Sequence, residues 1–276
     1  MNNRIVKRNN VTVSGQGKRP MLFAHGFGCD QHMWRHVIPP FEADHKVILF
    51  DYVGSGQSDI TAYDSERYGT LEGYVQDVLD VIHAMELNDV IFVGHSVSCI
   101  VGALAANREP ELFSHLIMVG PSPCYLNDPP GYYGGFERQT ISELLSLMKK
   151  NYIGWAQMMA STIMQNEDRP ELTEELEESF CSTDPVIANE FAQVTFLSDN
   201  REDLDEIEVP VLIIQCEEDS IAPMNVGQYV HSKIDTSTLE VISANGHCPH
   251  LSHPEQTTHI IESYLQQPVQ NGDSPC

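Results

Sequence analysis

Short apolar runs and amphipathic stretches alternate along most of the chain. Residues 21–24, 47–50, 90–93 and 116–119 are apolar throughout, the last three rich in β-branched side chains, and show no polar alternation. That pattern fits strands buried on both faces of a parallel sheet. Between them Leu71, Tyr74, Val75, Val78, Leu79, Ile82 and Met85 recur at helical spacing, as do Met33, Trp34, Val37, Ile38 and Phe41. The rhythm resumes at 211–214 and 239–242, then closes with a helix carrying Ile260, Ile261, Tyr264 and Leu265. Alternation on this scale predicts a mostly parallel, doubly wound α/β sheet. Residues 125–205 break it. They open with Asn127-Asp128-Pro129-Pro130-Gly131 and continue with Ile141, Leu144, Leu145 and Met148, then Trp155, Met158, Met159 and Ile163, at helical spacing. This reads as a helical insertion between core segments 1–124 and 206–265. Residues 266–276 lack periodicity and predict a disordered tail.

Composition adds limits. The chain has 276 residues, 41% of them hydrophobic, enough for one large α/β domain with a sizeable core. Forty acidic residues against fifteen basic ones give a formal charge of -25. Phosphate neutralisation needs clustered Lys and Arg, so nucleic acid is not the expected partner, and anionic membranes are disfavoured too. The acid is unevenly placed: residues 161–210 hold fifteen acidic and two basic residues. Such a block is a solvated face or a surface for a basic partner. Seven scattered cysteines, none in a C-x-x-C pair, do not suggest a disulfide framework or a zinc site. With no apolar signal segment in residues 1–10 and no run long enough to span a bilayer, the expectation is a reduced cytoplasmic protein.

The run 90–93 leads into Gly94-His95-Ser96-Val97-Ser98, and a helical pattern follows at once (Ile100, Val101, Leu104, Ala105). A serine on a tight strand-to-helix turn stands exposed at the top of a sheet, ready to act as a nucleophile. The usual G-x-S-x-G ends here in Ser98. A serine hydroxyl needs a base, and the base needs an orienting acid. On this architecture the chain order is Ser, acid, His. The strand at 211–214 ends in Gln215-Cys216-Glu217-Glu218-Asp219, and Ala244-Asn245-Gly246-His247 follows the strand at 239–242. Both groups fall just beyond strand carboxyl ends, where ligands of open α/β sheets bind. The oxyanion of a tetrahedral intermediate needs donors. The Val97 N–H is one candidate, and the Phe27 N–H in His25-Gly26-Phe27-Gly28, after the first run, is the other. Asp51-Tyr52-Val53-Gly54-Ser55-Gly56 reads as a structural turn, with Asp51 bonding backbone.

These motifs, in this order, resemble the α/β-hydrolase superfamily. Ala24-His25-Gly26-Phe27-Gly28-Cys29-Asp30-Gln31, Val119-Gly120-Pro121-Ser122-Pro123-Cys124-Tyr125-Leu126-Asn127-Asp128 and Gly246-His247-Cys248-Pro249-His250 closely resemble bacterial stress-response hydrolases of the RsbQ type. The plant strigolactone and karrikin receptors are more distant. The resemblance spans nearly the whole chain and implies an α/β-hydrolase core under a four-helix lid. Ser220-Ile221-Ala222-Pro223 resembles the loop that follows the family's acid, which favours Asp219 over Glu217 and Glu218 in a triad with Ser96 and His247. The family's pocket maps onto Phe27, Phe136, Trp155 and Phe196. The implied function is hydrolysis of a small hydrophobic ester-like substrate, with no cofactor. The alternative is a stress-signalling regulator that binds or slowly hydrolyses such a molecule and acts on a phosphatase partner with a sensor domain.

Plainer readings stand beside these. His247-x-x-His250-x-x-His253 has metal-like spacing, but Pro249 and Pro254 oppose a regular helix, so His250 and His253 read as loop polar residues. The insertion's Met and aromatic residues suit a lid core as well as a pocket. An intact Ser–Asp–His set also occurs on a fold used only as a scaffold. Ser98 in place of glycine is expected to have a small effect, being nearly the smallest replacement.

Overall fold

The computed structural model describes residues 3–267. Its strands are β1 (Thr12–Ser14), β2 (Arg19–Ala24), β3 (His45–Leu49), β4 (Val90–His95), β5 (Phe113–Val119), β6 (Val211–Glu218) and β7 (Ser237–Asn245). They form one sheet in the order β1-β3-β2-β4-β5-β6-β7, with β1 antiparallel to β3 and the other pairs parallel. The helices are α1 (Asn3–Arg8), α2 (Leu71–Ala84), α3 (Val97–Arg108), α4 (Arg138–Lys150), α5 (Tyr152–Met164), α6 (Pro170–Ser182), α7 (Pro185–Leu197), α8 (Met224–Lys233), α9 (Pro249–Ser252) and α10 (Pro254–Leu265). This is an α/β-hydrolase fold, with α4 to α7 inserted between β5 and β6.

The apolar runs are continuous because successive side chains serve opposite faces, and both faces are covered. Leu22, Ile48, Phe92, Met118 and Ile213 pack with Val75, Val78 and Val101 of α2 and α3. Met21, Phe23, Ile91, Val93 and Ile214 pack on the other side with Trp34, Phe41 and Ile261 of α10. A third cluster lies within the insertion, around Trp155, Met159, Leu176 and Phe180.

Residues 31–41 depart from the expected helix. They form two 3-10 segments, Gln31–Trp34 and Pro39–Ala43. Pro39 and Pro40 lack the N–H groups that a continuous α-helix would use there. At the chain's start, α1 delivers Arg8 and Asn9 to Asp77 of α2. This fully buried carboxylate also accepts from Tyr68 Oη (2.9 Å), Arg67 Nη2 (3.0 Å) and the Val53 N–H (3.1 Å). Of the expected tail, Gln266 and Gln267 extend the last turn of α10 through bonds to Glu262 and Tyr264, and residues 268–276 lie outside those described. Among the described residues no helix is long and apolar enough to cross a membrane.

Candidate active site

β2 lies between β3 and β4, so the strand order reverses at its carboxyl end, where open α/β sheets form their crevice. Ser96 sits there between β4 and α3 with φ 57° and ψ -124°, a backbone conformation rare outside glycine. Its N–H donates to the Val119 carbonyl at 2.9 Å, which fixes the turn against β5. The turn tolerates only close packing: a Cβ on Gly94 would lie 2.6 Å from the Ser98 carbonyl oxygen.

The loops after β6 and β7 bring Asp219 and His247 to Ser96. His247 Nδ1–H donates to Asp219 Oδ2 at 2.7 Å, which leaves Nε2 to accept from Ser96 Oγ–H at 2.8 Å. The other carboxylate oxygen, Oδ1, accepts the N–H groups of Ile221 (2.8 Å) and Ala222 (2.9 Å). The Ser220-Ile221-Ala222 turn thus clamps the acid. Glu217 and Glu218 are exposed, and Ser243 Oγ donates to Glu217 at 3.1 Å, away from the site. Ser96 Oγ also lies 3.2 Å from Tyr125 Oη. Burial pushes the Tyr125 phenol well above its usual pKa, so it stays protonated and donates to the serine oxygen.

Val97 opens α3, where first-turn N–H groups have no partner within the helix. Phe27 follows Gly26, whose added Cβ would come 3.4 Å from Ser96 Cβ. Both candidate oxyanion donors therefore belong to segments packed against the nucleophile. Ser98 ties these segments together. Its Oγ donates to the His25 carbonyl at 2.5 Å and lies 2.9 Å from Tyr52 Oη. Asp51 accepts from the backbone of Gln31 and Gln57, as a turn-holding residue should.

Beside Ser96 a small cavity of about 30 Å³ is lined by Phe27, Tyr125, Leu176, Phe180, Thr195 and Phe196, with His95, His247, Cys29 and Cys248 among its other neighbours. Two residues expected in the pocket stand one layer back. Trp155 packs on Phe27 (6.0 Å between centroids) and Phe180 (5.3 Å), and Phe136 packs on Phe196 (6.3 Å). Phe180 carries no pocket signal in the sequence because it sits inside the acidic block, between Ser179 and Cys181. Wider surface grooves, such as the one lined by Leu71, Leu104, Val194 and Leu197, do not contain this Ser–His–Asp chain.

His250 is not a loop residue but is buried in α9, its ring 4.7 Å from Trp34 and 4.3 Å from His95. His95, Cys248 and His250 bring ligand-type atoms within 4.8 Å of one another, a grouping different from the run His247, His250, His253. Burial lowers both imidazoles, His250 to about 3, and raises the Cys248 thiol, so the trio is uncharged at neutral pH. His95 Nε2–H donates to the His247 carbonyl at 2.9 Å and so braces the backbone of the candidate base.

A mostly parallel sheet with a serine, a histidine and an acid hydrogen-bonded across its carboxyl edge is the arrangement of α/β-fold hydrolases. Residues 21–259 match the alpha/beta hydrolase family, and the chain belongs to that family. It is 35% identical to the karrikin insensitive 2 receptor CA of Petunia hybrida over 96% of this chain and 98% of that one. It is 36% identical to the strigolactone esterase D14 of Arabidopsis thaliana over 95% and 97%. A solved hydrolase structure from Oleispira antarctica superimposes with a TM-score of 0.93 at 46% identity, covering 96% of this chain and 97% of the other.

Proposed function

We propose that the chain is a serine hydrolase of small, hydrophobic, ester-like substrates. One observation carries this reading: the Asp219–His247–Ser96 hydrogen-bond chain, 2.7 and 2.8 Å long, whose serine and histidine line a cavity rich in aromatic side chains. In the proposed mechanism His247 Nε2 takes the Ser96 proton as Oγ attacks the carbonyl carbon. The N–H groups of Val97 and Phe27 receive the oxyanion. Asp219 holds the Nδ1–H tautomer and stabilises the imidazolium that forms. Collapse of the intermediate expels the alcohol, which takes its proton from His247, and leaves an acyl group on Ser96. Water activated by the same histidine then releases the acid. In this mechanism the acid, base and nucleophile are already hydrogen-bonded to one another before substrate arrives.

Ser96→Ala should lower the hydrolysis of short p-nitrophenyl esters at least about 10³-fold and abolish labelling by a phosphonate probe. An unchanged rate removes the serine assignment.

A second reading takes its receptor character from the names of relatives of similar identity, one a receptor and one an esterase, and its RsbQ type and phosphatase partner from the motif resemblance alone. In it the protein is a ligand-dependent regulator of the RsbQ type that turns its ligand over slowly and passes a signal to a phosphatase partner with a sensor domain. The acidic lid face, with Glu171, Glu174 and Glu178 exposed on α6, is where a basic partner surface would dock in that reading. Co-purification with such a phosphatase, lost on charge reversal of these residues, distinguishes it from the simple esterase.

A further inference from the structure

Thr195 lies on α7 and is 2% exposed, and its Oγ1 has no hydrogen-bond partner among the described residues. A threonine inside a helix usually donates to the carbonyl four residues earlier. Two others in this protein do so: Thr162 bonds Met158 at 2.9 Å and Thr257 bonds His253 at 3.0 Å. Thr195 does not, and it lines the same cavity as Ser96. The other cavity hydroxyls are engaged, Ser96 with His247 and Tyr125, and Tyr125 with Ser96. Its remaining walls are largely apolar: Phe27, Ile163, Leu176, Phe180, Phe196 and Ile221. An unpaired hydroxyl in such a place destabilises the folded chain, and unsatisfied buried polar groups are rare enough to require an explanation.

We propose that Thr195 determines specificity by donating a hydrogen bond to an oxygen of the substrate remote from its scissile carbonyl. The inference rests on the serine-hydrolase reading and narrows it to a class. The substrate is a compact ester or lactone, apolar except for one further acceptor oxygen of the ether or carbonyl type. An acceptor fits better than a substrate hydroxyl, because it brings no proton that would need its own partner in an apolar cavity. Substrates lacking that oxygen leave the threonine unpaired in the bound state, which is how a polar group in a pocket discriminates between isosteric molecules.

The test uses two isosteric ester pairs, p-nitrophenyl methoxyacetate with butanoate, and p-nitrophenyl 3-methoxypropanoate with pentanoate. For each pair the ratio of kcat/KM values is compared between the wild type and Thr195→Val, which keeps the shape and deletes the hydroxyl. Intrinsic ester reactivity cancels in that comparison. The ether-to-alkyl ratio should fall about tenfold in Thr195→Val for at least one pair, as expected for one lost hydrogen bond, and Thr195→Ser should keep it. Thr195→Val should also unfold at the same or a higher temperature. Unchanged ratios for both pairs overturn the proposal, as does a lower unfolding temperature, which would mean that the hydroxyl braces the helix. If the wild type hydrolyses none of the esters and Ser96 resists the phosphonate, the hydrolase reading falls and this proposal falls with it. If the wild type is active but the ratios do not move, this proposal falls alone.

Discussion

Replacing Ser98 by alanine tests how the site is held together. The hydroxyl sits at a junction of two buried bonds, one to the His25 carbonyl at 2.5 Å and one with Tyr52 Oη at 2.9 Å. Burial raises the Tyr52 phenol far above its usual pKa, so Tyr52 donates to Ser98, which in turn donates to His25. Alanine fills nearly the same space but leaves a donor and an acceptor unpaired in the interior. At about 1–3 kcal/mol for each orphaned group, and with partial relaxation, the expected loss is about 2–4 kcal/mol. For a chain of this size that lowers the unfolding temperature by about 5–10 °C, measurable by calorimetry. The His25 carbonyl is also the first fixed point of the segment that presents the Phe27 N–H. A misplaced oxyanion donor costs up to about 10²–10³ in rate. Turnover of p-nitrophenyl esters should therefore fall about 10- to 100-fold, with KM little changed. The small effect expected from residue size alone gives way to this larger one because the hydroxyl is bonded on both sides. Unfolding within about 1 °C of the wild type, together with turnover within about threefold, would refute the reasoning.

Two further predictions concern stability. Burial, with His247 and Arg35 adding to it, lowers His250 from 6.5 to about 3, so between these values the unfolded chain binds a proton that the folded chain refuses. Stability is then complete above pH 6.5 and declines as the pH falls toward 3, by up to about 1.4 kcal/mol per pH unit for this group, and His250→Phe should flatten that acid limb in urea titrations. Asp77→Ala removes the shared acceptor of Arg8, Asn9, Arg67, Tyr68 and the Val53 N–H, and should cost about 3–5 kcal/mol in denaturant midpoints.

The central strands could be read from the sequence because both faces of the sheet are covered, so each strand appears as an unbroken apolar run. Ser96 and His247 stand out because each follows such a run and the chain order is restricted, whereas the acid is narrowed from Glu217, Glu218 and Asp219 only by the resemblance of the loop after it. What the sequence hid depends on long-range neighbours. His250 looks like a loop residue until Trp34 and His95 close over it. The spacing of Met33, Trp34, Val37, Ile38 and Phe41 suits a helix, yet the prolines at 39 and 40 divide it into two tighter segments. Phe136 and Trp155 carry the aromatic character of a pocket wall but support Phe196 and Phe27 from behind. Thr195 looks neutral in sequence, since only the structure distinguishes a threonine that bonds its own helix from one that does not.

The acidic excess now has a location. None of the fifteen acidic side chains in residues 161–210 is buried, whereas the opposite side of α6 places Leu176 and Phe180 against the cavity. One helix therefore carries solvated charge outward and an apolar wall inward. The cavity's own polar atoms are hydroxyls, imidazoles and thiols, and the carboxylate of Asp219 is already held by His247 and two backbone N–H groups. Among the described residues that line the cavity there is no lysine or arginine to neutralise a bound anion. A substrate bearing a carboxylate would approach against a field set by a net charge of -25 and then lose its hydration with no lysine or arginine beside it in the cavity. In the proposed hydrolase reading, charge outside and apolar surface inside therefore favour an uncharged ester over a charged one.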